Sequence, residues 1–347
     1  MVVVVLSQFL LYASFSILMG AFIMKCVPEL YRPSFTIAPK WLIGSTILIP
    51  IAAFLPNTQL LSILVPQFGL IESLTMIITK FKVGHAWLAI FALTILLALL
   101  VFAAIKIAAT WIHVAAILLL IAMMAAIGYA SHAGSMAGVE GSVYDFIHLV
   151  AVSVWLGILV MVSYFSTDAK NWEAFLKWFS PTALVAFTAV GLSGVLMLEV
   201  IVPKYVTSWA STYGQFMLMK HVLLLPLAIL ILGNALLVRL KLNKPFFEPR
   251  TWVRLELGLL TAILLLTAIF SEQQPPNFTV EAISPVFEWL YRDSVAIGMQ
   301  AYFQMTGIGL MFFLFTALFI GLTIVSYIKN APTVVSIAMA GAIGIFV

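Results

Sequence analysis

The residues with the capacity for chemistry cluster in one stretch, Ser131–Gly157, which reads S-H-A-G-S-M-A-G-V-E-G-S-V-Y-D-F-I-H-L-V-A-V-S-V-W-L-G and holds two of only five histidines. His132 lies in a Gly-rich segment read as a loop, and His148 lies early in the apolar helix that follows. Asp145 precedes His148 by three residues, on a neighbouring side of the same helical turn. Further along, Met217 and His221 are spaced i and i+4 and share a helix face. Met136 falls in the Gly-rich segment, and Met197 lies near the end of a later apolar run. Imidazole suits copper, zinc, iron and nickel, whereas thioether selects Cu(I), so a mixed His/Met set points to copper before zinc. Histidine within an apolar span is costly to leave idle, which makes His132, His148 and His221 the primary ligand candidates, with Met136 and Met217 beside them. Most methionines in so apolar a chain simply pack. Two histidines at one depth on separate helices also suit a different chemistry, bis-His ligation of haem b.

The elements that must position these residues are set by composition. Hydrophobic residues make up 64% of the 347, charged residues 9%, and the mean hydropathy is +1.17. A soluble domain carries about 25% charge, so this chain cannot clothe itself in a water-wettable surface. Apolar runs at roughly 1–24, 41–66, 85–105, 110–130, 142–166, 180–202, 214–240, 252–271, 302–328 and 332–347 are each of the order needed to cross a bilayer as a helix. The fold class is therefore all-α, a polytopic transmembrane helical bundle. Pro50, Pro56 and Pro66 predict a kink or break in the second run, because proline removes a backbone donor and clashes with the preceding turn. The first run lacks a basic n-region and a small-residue cleavage site, and is read as a retained span. Residues 1–271 are expected to form an eight-span core, 272–300 an outer loop or interfacial helix, and 301–347 additional spans.

Orientation follows from the basic residues. With the N-terminus outside, the cytoplasmic side collects Lys25, Arg32, Lys40, Lys106, Lys170, Lys177, Arg239, Lys241, Lys244, Arg250, Arg254 and Lys329, twelve of the 17, and this bias favours that topology over its inverse. The three primary histidines, with Met136, Met197 and Met217, then fall at one outer level. Met24, Cys26 and His113 fall at the inner level, where a thiol is a natural acceptor for a soft ion. Lys220, beside His221, is placed to snorkel outward or to pair with Asp145 or Glu199. Asn234 and Glu256 read as helix–helix contacts. The single cysteine excludes an internal disulfide and any CxxC metal site. Walker, GxGxxG, HExxH and nucleophile-elbow motifs are missing, which argues against an ATPase or hydrolase and for a protein that is not an enzyme.

Four blocks together resemble a known family: S-H-A-G at Ser131–Gly134, H-L-V-A-V-S-V-W-L-G at His148–Gly157, Y-G-Q-F-M-L-M-K-H-V-L-L-L-P-L-A-I-L-I-L-G-N at Tyr213–Asn234, and R-L-E-L-G-L-L-T-A-I-L-L-L-T-A at Arg254–Ala268. Their order and spacing are similar to the CopD (copper resistance protein D) family of inner-membrane proteins, including the CopD part of YcnJ-like importers. The resemblance covers roughly residues 1–271. It implies movement of copper, as Cu(I) or Cu(II), across a bacterial cytoplasmic membrane, inward from the outer side. The family's histidines map onto His132 and His148, its lysine onto Lys220, and its aromatic-glycine turn onto Trp155 and Gly157. It also implies a soluble CopC-like copper-binding protein as a candidate partner. The leading expectation is a copper transporter that captures the ion at an outer His/Met site. A b-type cytochrome and a non-catalytic assembly or sensing subunit are the alternatives.

Overall fold

The computed structural model describes residues 2–168, 170–202, 204–233, 248–271, 273, 283–290 and 307–329, with isolated positions beyond. Asn234, the basic residues Arg239, Lys241 and Lys244, Glu281, and nearly all of the tenth expected span lie outside the described residues. Among the described residues the apolar runs become α1 (Val2–Cys26), α2 (Pro39–Phe54), α3 (Asn57–Phe68), α4 (Leu70–Lys80), α5 (Lys82–Lys106), α6 (Thr110–Ala130), α7 (His132–Met136), α8 (Gly138–Val160), α9 (Trp172–Ile201), α10 (Tyr205–Ser208), α11 (Thr212–Gly233), α12 (Pro249–Phe270), α13 (Pro285–Leu290) and α14 (Gly307–Ile328). Seven of these stretches are long and apolar enough to cross a membrane, and an eighth forms if the bent pair α2–α3 is one span. The protein is an all-α, multi-pass membrane protein.

The expected break in the second span is present. α2 and α3 meet at 42° around Leu55–Pro56, where proline cannot supply the backbone donor that would continue the helix. Trp87 of α5 donates its indole N–H to the Pro50 carbonyl at 2.9 Å, holding the approach to the bend. One expectation is corrected. The Gly-rich segment from Ser131 is not a loop: it folds into the short helix α7, and α8 already starts at Gly138. The segment before His85 is the amphipathic helix α4, with Ser73 and Ile77 buried and Leu70 and Ile71 exposed.

The chain divides into two compact units, Met1–Phe175 with Pro181–Ile201, and Leu176–Ser180 with Val202–Val347. In the first, α1 packs on α8, α2 and α6, and α6 packs on α5 and α8. The crossing of α1 and α8 has no space for side chains at its centre. A Cβ on Gly20 would collide with the Gly157 carbonyl, and one on Gly157 would collide with the Ser16 carbonyl. Small residues allow this approach, which is the usual basis of helix association where lipid removes the hydrophobic drive. Beyond Gly157, α8 passes into a π turn at Met161–Phe165. The loop that follows is clipped to the α1–α2 connection, with Thr36 N–H donating to the Phe165 carbonyl and Thr167 N–H to that of Ser34.

In the second unit α11 packs on α12. α12 starts under a charged cap: the Glu248 carboxylate accepts from Arg250 N–H at 3.1 Å and from its guanidinium at 2.8 and 2.7 Å. Those side-chain hydrogen bonds hold the Glu248 carboxyl below its usual range. Glu256, one of the residues assigned to helix contacts, is buried on α12.

Two outcomes follow. Gly157→Leu is expected to cost at least about 1–3 kcal/mol through overpacking. Gly191→Leu, where a Cβ meets nothing within 4 Å, should be tolerated; thermal melting in detergent compares them. Because the folded-state pKa of Glu248 is depressed, its contribution to stability is complete above the unfolded carboxylate pKa and is lost as pH falls through the folded value. Melting temperature should therefore drop on acidification more in wild type than in Glu248→Gln, and identical acid profiles would discard this cap as a stabilising pair.

Candidate functional site

His148 is placed by α8 and held by α9. Its Nδ1 lies 3.1 Å from the Oγ of Ser193, a residue only 3% exposed. The single hydroxyl hydrogen of Ser193 is directed to the Ala189 carbonyl at 2.6 Å, so toward the imidazole Ser193 acts as acceptor. A neutral imidazole protonated on Nδ1 matches that acceptor, and its lone pair then sits on Nε2, the tautomer in which the second-shell bond of a metal-binding histidine is made at Nδ1. The next residue, Gly194, lets the ring lie against the helix: a Cβ there would stand 3.7 Å from Cε1 and 3.9 Å from Nδ1. Two turns further along α8, Trp155 is 1% exposed and meets Phe187 edge-on at 6.0 Å. Trp155 and Gly157 thus fix α8 against α9 and α1 respectively, and their place in the motif is a packing one.

His132 is the first residue of α7 and is exposed, as is Met136 at its end. Gly141 is pressed against the Ala133 carbonyl, so α7 rests on the first turn of α8. His148 lies seven residues beyond Gly141, two turns or roughly 10 Å along the axis. Among the described residues no group of three or more His, Cys, Asp or Glu side chains stands close enough to hold a metal. Asp145, in the same unit as His148, is half-buried on α8.

His221 is built into the other unit. Its Nδ1 lies 2.7 Å from the phenolic oxygen of Tyr205, and the two rings meet edge-on at 5.5 Å. Burial pushes the Tyr205 phenol up, so it stays a neutral hydroxyl at neutral pH. Met217 is buried one turn before His221, and the Lys220 ammonium lies 5.4 Å from the centroid of the Phe270 ring. Asp145 and Lys220 belong to different units.

At the opposite end of the first unit from His148, His113 of α6 is buried and stacks on Phe22 of α1 at 5.9 Å, and its Nδ1 has no hydrogen-bond partner. Helical phase separates the expected inner group. Cys26 lies one turn beyond Phe22 on the face that meets His113, whereas Met24 lies one turn beyond Gly20 on the face that meets α8.

Sequence reading missed Ser193, Gly194 and Tyr205. The run G-L-S-G at Gly191–Gly194 is a usable signal, since small residues in an apolar span mark close packing. It also missed a repeated device. Tyr129-Ala130-Ser131-x-x-Gly134 and Trp209-Ala210-Ser211-x-x-Gly214 fold alike: each serine Oγ accepts from the glycine N–H at 3.1 Å, and donates back to the carbonyl three residues earlier, at 2.9 Å for Ser131 and 2.7 Å for Ser211. A Cβ on either glycine would crowd the carbonyl six residues before it, Gly128 or Ser208. The Ser131 junction starts α7, which precedes the helix of His148, and the Ser211 junction precedes α11, which carries His221.

The fold and these histidines define the class: a multi-pass helical membrane protein with sparse polar side chains within its apolar helices. Within that class, residues 173–270, which span α9 to α12, match the family model for Copper resistance protein D. A curated relative, Copper transport protein CutJ of Bacillus subtilis (strain 168), is 28% identical over 203 residues, 56% of this chain and 37% of that protein. This chain thus matches little more than a third of that relative's length. No solved structure matches. The matched region contains Ser193, Met217, Lys220 and His221, while the His132–His148 block lies before it.

Removing either junction cap should be felt locally. Ser131→Ala and Ser211→Ala are each expected to cost about 1 kcal/mol, the usual penalty for losing an N-cap. Equal melting temperatures for wild type and both variants would show that the caps are dispensable.

Proposed function

We propose that this protein carries copper across the cytoplasmic membrane, inward, without converting it chemically. The observation that carries the reading is His148: a half-buried imidazole in an apolar helix, oriented through Nδ1 so that its lone pair is on Nε2. The CopD match and the likeness to a copper transport protein support copper as the ion. The excess of basic residues in alternate loops supports an N-terminus outside, with the His148 end of the first unit facing outward. His132 and Met136, exposed on α7, take the ion first, and His148 receives it at greater depth. Met217 and His221 supply a comparable pair in the second unit. Release lies at the Cys26 and His113 end, where the unpartnered Nδ1 of His113 is a ligand in waiting. Spaced ligands that exchange one at a time suit transit better than a closed tetrahedral cage, which would trap the ion. A CopC-like protein on the outer side is the natural donor.

Cells expressing His148→Ala should accumulate copper only at the level of cells lacking the protein, with membrane expression unchanged. Wild-type accumulation would remove His148 from the path. An intense Soret absorbance in the purified wild type that is lost in the variant would instead assign the histidine to haem.

A further inference from the structure

The register of α8 against α9 is set by two contacts, His148 with Ser193 and Trp155 with Phe187. Positions increase along α8 as they decrease along α9, so the helices are antiparallel. Met197 is four residues beyond Ser193 and three beyond Gly194, and therefore neighbours both on one face of α9. Helical side chains lean toward the N-terminus, so a long one covers the turn before its own Cα. That lean directs the side chain of Met197 toward the turn of Ser193 and Gly194. Gly194 puts no side chain in that space, and the imidazole of His148 occupies its edge. The ring's Nδ1 is at Ser193 and its Cε1 is nearest the Gly194 position, with Nε2 the ring atom beyond Cε1. Met197 itself is half-buried.

We propose that Met197 and His148 form a two-ligand site for a soft monovalent cation, Cu(I) in the cell, with Ser193 as the positioning residue that holds the imidazole in its Nε2-ligating tautomer. This deepens the transport reading and rests on it. Both ligands are neutral, so the ion binds without proton release and retains its charge. Cu(I) tolerates low coordination by a thioether and an imidazole, whereas zinc seeks four ligands, so the pair discriminates between them. A weak, two-ligand hold also leaves the ion able to move on.

The test uses the full chain purified in detergent under anaerobic, reducing conditions, titrated with Cu(I) against bicinchoninate and examined by copper K-edge absorption. Wild type should show a sulfur scatterer beside a nitrogen one. Met197→Leu, close in volume, should lose the sulfur and weaken Cu(I) binding about tenfold or more, by comparison with the 10–100-fold typical of outer-shell losses. Ser193→Ala should weaken it about tenfold and Ser193→Thr, which keeps the hydroxyl, should restore it. In a His148→Ala background neither change should weaken binding further. Retained sulfur scattering and wild-type affinity in Met197→Leu would overturn the pair while leaving His148 in the path if His148→Ala still loses copper. Wild-type Cu(I) binding in His148→Ala would overturn both the pair and the transport site.

Discussion

Lipid offers no hydrogen bonds and no hydrophobic reward for bringing helices together, so this protein's first unit depends on backbone contact at the α1–α8 crossing. Gly20 and Gly157 meet there without side chains between them, and the carbonyls of Ser16 and Gly157 occupy what would be Cβ space. α8 is thereby fixed in rotation as well as depth. The consequence reaches His148 nine residues earlier, which is turned toward the small-residue run of α9 rather than toward lipid. Trp155 anchors the same helix from its other side against Phe187.

The polar groups that remain are managed by hydroxyls. Ser193 binds one histidine, Tyr205 another, and Ser131 and Ser211 cap the junctions that precede them. A hydroxyl suits an apolar interior because its hydrogen can return to a carbonyl of its own helix while its oxygen accepts from elsewhere. No net charge has to be buried to orient the imidazole. His113 departs from this pattern: its buried Nδ1 has no hydrogen-bond partner, which costs stability. It stands at the far end of the unit, where the only thiol of the chain lies one helical turn from its stacking partner Phe22.

Distance along the helices gives this arrangement its logic. α6 runs antiparallel to α8, with Gly128 against Ser142 and Phe146. Counting residues from those contacts separates His113 from His148 by roughly 15 Å along the bundle. The core of the unit also buries the methionines Met19, Met123, Met124 and Met161.

Hydropathy alone determined that this chain is a bundle of membrane-crossing helices, because spans of that length and polarity have no other stable home. Proline placement determined the bent second span, since the missing donor acts wherever the residue sits. Spacing within one helix determined that Met217 and His221 share a face. What no spacing could disclose is partnership between helices, because rotation about each axis is set by packing. Only the tertiary structure put Ser193 and Gly194 beside His148, and Tyr205 beside His221. It alone made a capped helix of a glycine-rich stretch that reads as a loop. For Ser193, Gly194 and the Ser131 cap the physical reason is that glycines and serines carry too little surface to announce in sequence which backbone they will touch; for Tyr205 it is that helix rotation is set by packing.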